Sequence, residues 1–265
     1  MSNISNDNTT LPRTIRIDQK EVTFCHKVLH LDKDSDREPF VDNINEYLSY
    51  YSDILDTPTI EISNKDQYLN FINNNPDFNI NPNGYNLHNE QGWRYGEVGI
   101  WASNWTAWKN FLNTDKDYLI MMEDDLQVED NFMDLLIKYL NELPQEWDIF
   151  YYYCPADQFN KYSQSFSTSE HTSVIYQDWS SACHVISKIG AEKLLSTSST
   201  GINLPLDWHV FRQKNKFKAF TIKPEVEIGC WLTEIESTFQ SKQRDRKSTR
   251  LNSSHSQQSR MPSSA

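Results

Sequence analysis

The chain has 265 residues, 31.2 kDa and a formal net charge of −12, from 25 Lys and Arg against 37 Asp and Glu. That length fits one large domain or two small ones, the 13% of aromatic residues argues against full disorder, and the mean hydropathy of −0.71 marks a polar chain. The acidic balance disfavours nucleic-acid binding, no apolar run nears the ~18 residues of a membrane helix, and the Asn-, Ser- and Thr-rich start lacks the basic and apolar regions of a secretory signal.

Residues 1–20 read as a flexible leader. The apolar, alternating run from Val22 to Leu31 predicts a strand that enters the polar loop Asp32 to Arg37. Phe40, Ile44, Tyr47, Leu48 and Tyr51 then recur at helical spacing. A short strand is expected over 59–62 and a short helix or turn over 66–72. Asn73 to Gly92, with Pro76, Pro82 and Gly84, reads as loop. Ser103 is placed to cap a helix running to Leu112, with Trp105, Trp108 and Leu112 on one face. Tyr118 to Met122 reads as a buried strand that ends in Glu123-Asp124-Asp125. A helix capped by Asp130 runs to Leu143, where Pro144 stops it. Strands are expected over 148–153, 174–176 and 182–186. A helix from the Ser187 cap to Leu195, a helix over 205–214 and a strand over 217–222 follow. This alternation predicts an α/β layered sheet, whose ligands bind at the carboxyl ends of its strands.

Cys25, Cys154, Cys183 and Cys230 lack CxxC spacing and read as reduced, mostly buried thiols, not zinc ligands. From Ser241 onward, eight Ser and a net charge of +5 describe a disordered basic tail, which leaves −17 on the rest of the chain. Its last part, Asp245 to Ala265, resembles translated adapter sequence rather than protein. The organisation expected is therefore a leader over 1–20, a domain over 21–240 and a tail over 241–265.

Three adjacent carboxylates at a strand end repel one another and are tolerated with solvent or with a cation. Hard oxygen ligands suit Mg²⁺ or Mn²⁺, which also bridge to phosphate oxygens. The acids of Glu123-Asp124-Asp125 are thus either metal ligands or a solvated loop.

Gly96-Glu97-Val98-Gly99-Ile100, then Ser103 and Trp105, then Tyr118 to Asp125, are similar to the G-E-[IV]-G-C, S-H, Trp and strand-E-D-D pattern of glycosyltransferase family 25. His30-Leu31-Asp32-Lys33-Asp34-Ser35-Asp36-Arg37 is similar to its N-L-D-R-S-x-D-R segment. Cys183 to Leu195 with Leu204-Pro205-Leu206-Asp207 is similar to its Y-x-I-S-x-x-G-A-x-x-L-L and P-[VIL]-D. Glu236-Ser237-Thr238 sits near a late family Ser. The likeness spans roughly residues 22–240, with the motifs in order.

The resemblance implies a single GT-A-like, nucleotide-sugar-binding α/β domain with a central mixed, mostly parallel sheet flanked by helices. It implies transfer of a hexose, galactose or glucose, from a UDP-sugar to a hydroxyl of a glycan or lipid-linked glycan. Glu123, Asp124 and Asp125 become the ligands of Mn²⁺ or Mg²⁺. Leu31, Asp36, Arg37, Ser103 and Asp124 become nucleotide-sugar contacts. A guanidinium such as Arg37 suits a diphosphate, although an ion pair at a helix start is the plainer reading. Asp207 would take the acceptor proton, or only stabilise a helix start; Glu97 would meet donor or acceptor, or only cap a helix. His209 reads as a buried histidine more than a metal ligand, and Trp105 and Trp108 as core more than sugar platforms. Work in the cytoplasm or at a membrane surface would follow.

Two rivals stand beside this reading. Asn104 occupies the family's His position, His30 its Asn position, and an A-x-D-G segment is not recognisable in Asn73 to Gly92. These departures motivate a degenerate member acting as a glycan-binding module. A nucleotidyltransferase would share the acidic triplet but has no use for the Gly96-Glu97 and Pro205-Leu206-Asp207 segments.

Overall fold

The computed structural model describes residues 14–81, 93–153, 163–176, 180–224 and 226–233. Cys154, Pro82 to Gly92, Glu236-Ser237-Thr238 and the tail lie outside the described residues. Residues up to Trp231 belong to one unit; of a second, from Leu232 on, only Leu232 and Thr233 are described.

A hairpin opens the described chain, β1 (Ile15–Ile17) against β2 (Lys20–Val22), with both turn residues, Asp18 and Gln19, at positive φ. Ile15 and Ile17 are buried, so part of the 1–20 segment expected to be a flexible leader is strand. Burying two isoleucines anchors a strand that its polar surroundings in the sequence do not advertise.

Then come β3 (Phe24–Leu29), α1 (Glu38–Leu48), β4 (Ser52–Ile54), α2 (Lys65–Asn74), α3 (Tyr95–Leu112) and β5 (Tyr118–Glu123). After them follow β6 (Leu126–Val128), α4 (Phe132–Leu140), β7 (Ile149–Tyr151), β8 (Thr172–Val174) and β9 (Cys183–Ser187). The described chain closes with α5 (Lys188–Ser199), α6 (Leu206–Arg212), β10 (Ala219–Ile222) and β11 (Cys230–Leu232).

The central sheet has seven strands in the order β4-β3-β5-β9-β7-β10-β8. β4, β3, β5, β7 and β10 run one way; β9 and β8 run against them. The expected mixed, mostly parallel sheet is therefore present, with helices on both faces. His26 bonds α1 through Asn45 and Tyr152 stacks edge-on to Phe132 of α4. Cys25, on the opposite face of β3, instead senses Lys188 at the start of α5. Cys25, Cys183 and Cys230 are free and buried, as expected. Among the described residues no helix is long and apolar enough to cross a membrane.

Three local expectations change. The strand expected over 59–62 is absent, and β4 pairs with β3 in its place. The Ile60 N–H donates to Ser103 Oγ at 2.8 Å, so that segment is held by a helix and not by a ladder. Helix α3 starts eight residues before the expected cap. Gly96 and Gly99 look like helix breakers, yet an added Cβ on Gly99 would sit 3.0 Å from the Ile60 carbonyl oxygen. The glycine is needed for close approach, at the cost of helix propensity. Asp130 does not cap α4, whose first flanking residue is Asn131.

Candidate active site

Parallel neighbours β3 and β5 end at the same edge of the sheet, with Leu29 opposite Glu123. The two acidic segments singled out in the sequence therefore meet. Asp124 is buried, and its two oxygens face different partners from the first loop. Oδ1 accepts from Arg37 Nη1, and Oδ2 lies 2.9 Å from His30 Nδ1. The turns that deliver Arg37 are backbone bonds, Asp34 N–H to the Leu31 carbonyl and Arg37 N–H to the Asp34 carbonyl.

This geometry gives two of the expected site residues a duty inside the protein. Asp124 anchors one loop to the other, each of its oxygens bonded to a residue of the first loop. Arg37, 6% exposed, has its guanidinium on Asp124. Burial works to lower Arg37, and the Asp124 bond and charge outweigh it, so the guanidinium is held above its ordinary value. Substituting Arg37 by Leu would strip the buried Asp124 of its guanidinium partner and leave it His30 alone. We expect a loss of about 3 kcal/mol in urea unfolding, with part of it recovered when Asp124→Asn is added.

Asp125 behaves differently. Its Oδ1 is buried and has no hydrogen-bond partner. Burial raises its pKa, against the pull of Arg37 and with the push of Asp124. Glu123 Oε1 accepts from Ser181 Oγ at 3.0 Å. Burial, then Asp125, then Asp207 and Asp124 push Glu123 up to about 7, with the Ser181 bond opposing. Asp207, half-buried in the first turn of α6, is thus within electrostatic reach of the acidic strand end.

No three His, Cys, Asp or Glu side chains among the described residues already converge as a metal cage. Mg²⁺ and Mn²⁺ sites with phosphate substrates need only one or two carboxylates, the rest being water and phosphate oxygen. An orphaned buried carboxylate oxygen on Asp125, beside Glu123, fits such a site.

Other expected site residues lie elsewhere or have other duties. Glu97 Oε2 accepts from the Arg94 N–H at 3.0 Å in a capping box, so it helps start α3. Ser103 is buried mid-helix; its hydroxyl donates to the Gly99 carbonyl at 2.8 Å and accepts from Ile60. It fastens the segment around Ile60 to α3. Leu31 is half-buried in the loop, and Asp36 is exposed at the turn before α1. Asn104 Nδ2 donates to the Ile100 carbonyl, leaving its buried Oδ1 unpartnered. His209 is a core histidine, 3.1 Å from Thr197 Oγ1 and edge-on to Trp101. Trp105 and Trp108 are buried in aromatic clusters with Phe71, Phe78 and Trp101. His30 and Ser181 went unrecognised; their position one or two residues outside β3 and β9 was the available signal.

Burial pushes His26, His184 and His209 down to about 4. Their unfolded forms protonate near 6.5, so their stability contribution is complete above that and is lost as pH falls toward 4. Glu123, raised, works the opposite way by one proton between about 7 and 4.5. Asp125, also raised by burial, adds to the Glu123 side, so the three histidines lead by at most two protons, an upper limit of about 3 kcal/mol per pH unit between 6.5 and 4.5. Urea midpoints should fall steeply over that window. A flat profile would contradict neutral burial of the three histidines.

The profile of glycosyltransferase family 25 (LPS biosynthesis protein) matches residues 28–210, and the chain belongs to that family. Over 116 residues, 42% of this chain, it is 26% identical to procollagen galactosyltransferase 2 of Homo sapiens, covering 18% of that protein. Over 146 residues, 51% of this chain, it is 27% identical to procollagen lysyl hydroxylase and glycosyltransferase of Acanthamoeba polyphaga mimivirus, covering 16% of it. Each match thus spans less than a fifth of the relative. Among solved structures, a glycosyltransferase involved in glycosylation of the PBCV-1 major capsid is similar at TM-score 0.38 and 10% identity, over 76% of this chain and 82% of that one. Glucosyl-3-phosphoglycerate synthase of Mycobacterium tuberculosis, solved with Mg²⁺ and UDP, is similar at TM-score 0.37 and 10% identity, over 81% and 73%.

Proposed function

We propose that this chain is a metal-dependent glycosyltransferase of GT-A type, moving a hexose from a UDP-sugar to a hydroxyl of a glycan acceptor. The observation that carries the reading is the orphaned Asp125 Oδ1 just past the carboxyl end of β5, with Glu123 beside it and Asp207 in electrostatic reach of Glu123. Asp125 and Glu123 would hold Mn²⁺ or Mg²⁺, which when bound neutralises charge on the departing diphosphate. Arg37 and His30 hold Asp124, and so the loop that carries Asp125. Asp207 accepts the proton of the acceptor hydroxyl. The relatives' names make galactose the first donor sugar to try.

Calorimetry of UDP binding with and without Mn²⁺, followed by hydrolysis assays with UDP-galactose and UDP-glucose, tests this. Metal-dependent binding with turnover is the expected result. Absence of UDP binding by the folded protein would overturn the donor site. A second reading, a module that binds without transfer, draws on Asp124 having both oxygens bonded within the protein. It predicts UDP or glycan binding with no turnover of either sugar.

A further inference from the structure

Tyr151 on β7 and His184 on β9 are cross-strand partners, each about 1% exposed. Their rings lie 5.9 Å apart, tilted by 35°. His184 Nδ1 is 2.9 Å from the Ser181 carbonyl, which can only accept, so Nδ1 carries the proton. Nε2 of the neutral ring is then a bare acceptor. It is buried and has no partner, and neither has the Tyr151 hydroxyl. An orphan donor and an orphan acceptor therefore stand side by side without bonding each other.

Native interiors rarely leave such groups unpaired, because each costs its full desolvation. The pair's place in the fold narrows what could satisfy it. His184 is opposite Met121, two residues before Glu123, so alternation puts Met121, Glu123, His184 and Tyr151 on one face of the sheet. Asp207 acts electrostatically on both Tyr151 and Glu123. The orphans thus share a sheet face with Glu123, and Tyr151 lies, like it, within electrostatic reach of Asp207.

We propose that Tyr151 and His184 form a subsite for one substrate hydroxyl, which accepts from Tyr151 and donates to His184 Nε2. A hydroxyl matches the pair because it is at once one donor and one acceptor. This rests on the transferase reading above, and identifies one contact of its sugar site, within electrostatic reach of Asp207.

The test compares the full chain with Tyr151→Phe, His184→Phe and the double variant. Thermal midpoints, UDP-sugar calorimetry and transfer kinetics are measured on each. Tyr151→Phe removes one unpaired oxygen, so the free protein should melt at the same or a higher temperature. Its kcat/KM should fall about 10- to 100-fold. The double variant should lose less than the product of the single losses, because both groups hold the same hydroxyl. A lower melting temperature with unchanged kinetics would mean a structural water and would overturn the proposal. Unchanged kinetics and unchanged melting would overturn it as well. Wild-type protein that binds no UDP-sugar overturns the transferase reading and the subsite together. Wild-type binding with unaffected variants overturns the subsite alone.

Discussion

Gly190→Ala should yield little folded protein. Gly190 lies in the first turn of α5, directly over β7's preceding residue. A Cβ built there would sit 1.9 Å from the Asp148 carbonyl oxygen, 2.7 Å from its carbon and 3.0 Å from its Cα. All three atoms are backbone, so no rotamer change relieves the clash. Helix α5 would have to lift off. That would break Ser187 N–H to the Asp148 carbonyl at 3.1 Å and Ser187 Oγ to the Trp147 carbonyl at 2.9 Å. It would also strain Lys193 Nζ to the buried Asp148 carboxylate at 2.6 Å. We expect a loss of about 5 kcal/mol or more, comparable to the whole stability of many domains. Urea unfolding or the soluble yield reads it. A variant within about 1 kcal/mol of the parent would show that α5 does not pack on Asp148 this closely.

Asp125→Asn should keep the fold and lose the activity. The substitution conserves shape and removes the charge from a carboxyl that burial already disfavours ionising. Folded stability at neutral pH should hold or rise slightly. Turnover with any UDP-sugar should drop about 100-fold or more, since a neutral amide is a poor ligand for a hard dication. Metal-dependent UDP binding should weaken in parallel. Glu97→Ala offers the contrast: its side chain caps α3, so its loss should register in the melting temperature before it registers in turnover. If Glu97→Ala abolished transfer with the melting temperature unchanged, the capping assignment would be wrong.

Much of the site was legible because its signals are local. An apolar run ending abruptly in Glu123-Asp124-Asp125 announces a buried strand with its chemistry at the carboxyl end. Ser187, a hydroxyl before an apolar helix face, was read as a cap, and its Oγ does accept from the Gly190 N–H at 3.0 Å. Ser103 was read by the same rule and sits mid-helix. The same hydroxyl chemistry serves both positions. Only the presence of Ile60 against Gly99 tells that the helix extends through both glycines.

The amino-acid sequence by itself determined the α/β class, the order of the main strands and helices, the family, and which acids stand at a strand end. These follow from hydrophobic period, caps and motif order, all properties of neighbours along the chain. Tertiary structure alone decided how the acids divide their work. Asp124 turns inward because β3 and β5 are parallel neighbours, which brings Arg37 and His30 from 87 and 94 residues away onto its two oxygens. Asp125, the next residue, keeps a buried oxygen without a hydrogen-bond partner. Tyr151 and His184 are ordinary core residues in the sequence, and only the pairing of β7 with β9 sets their unmatched polar atoms side by side, on the face that carries Glu123. Desolvation and electrostatics depend on what lies across space, and that information exists only once the sheet has formed.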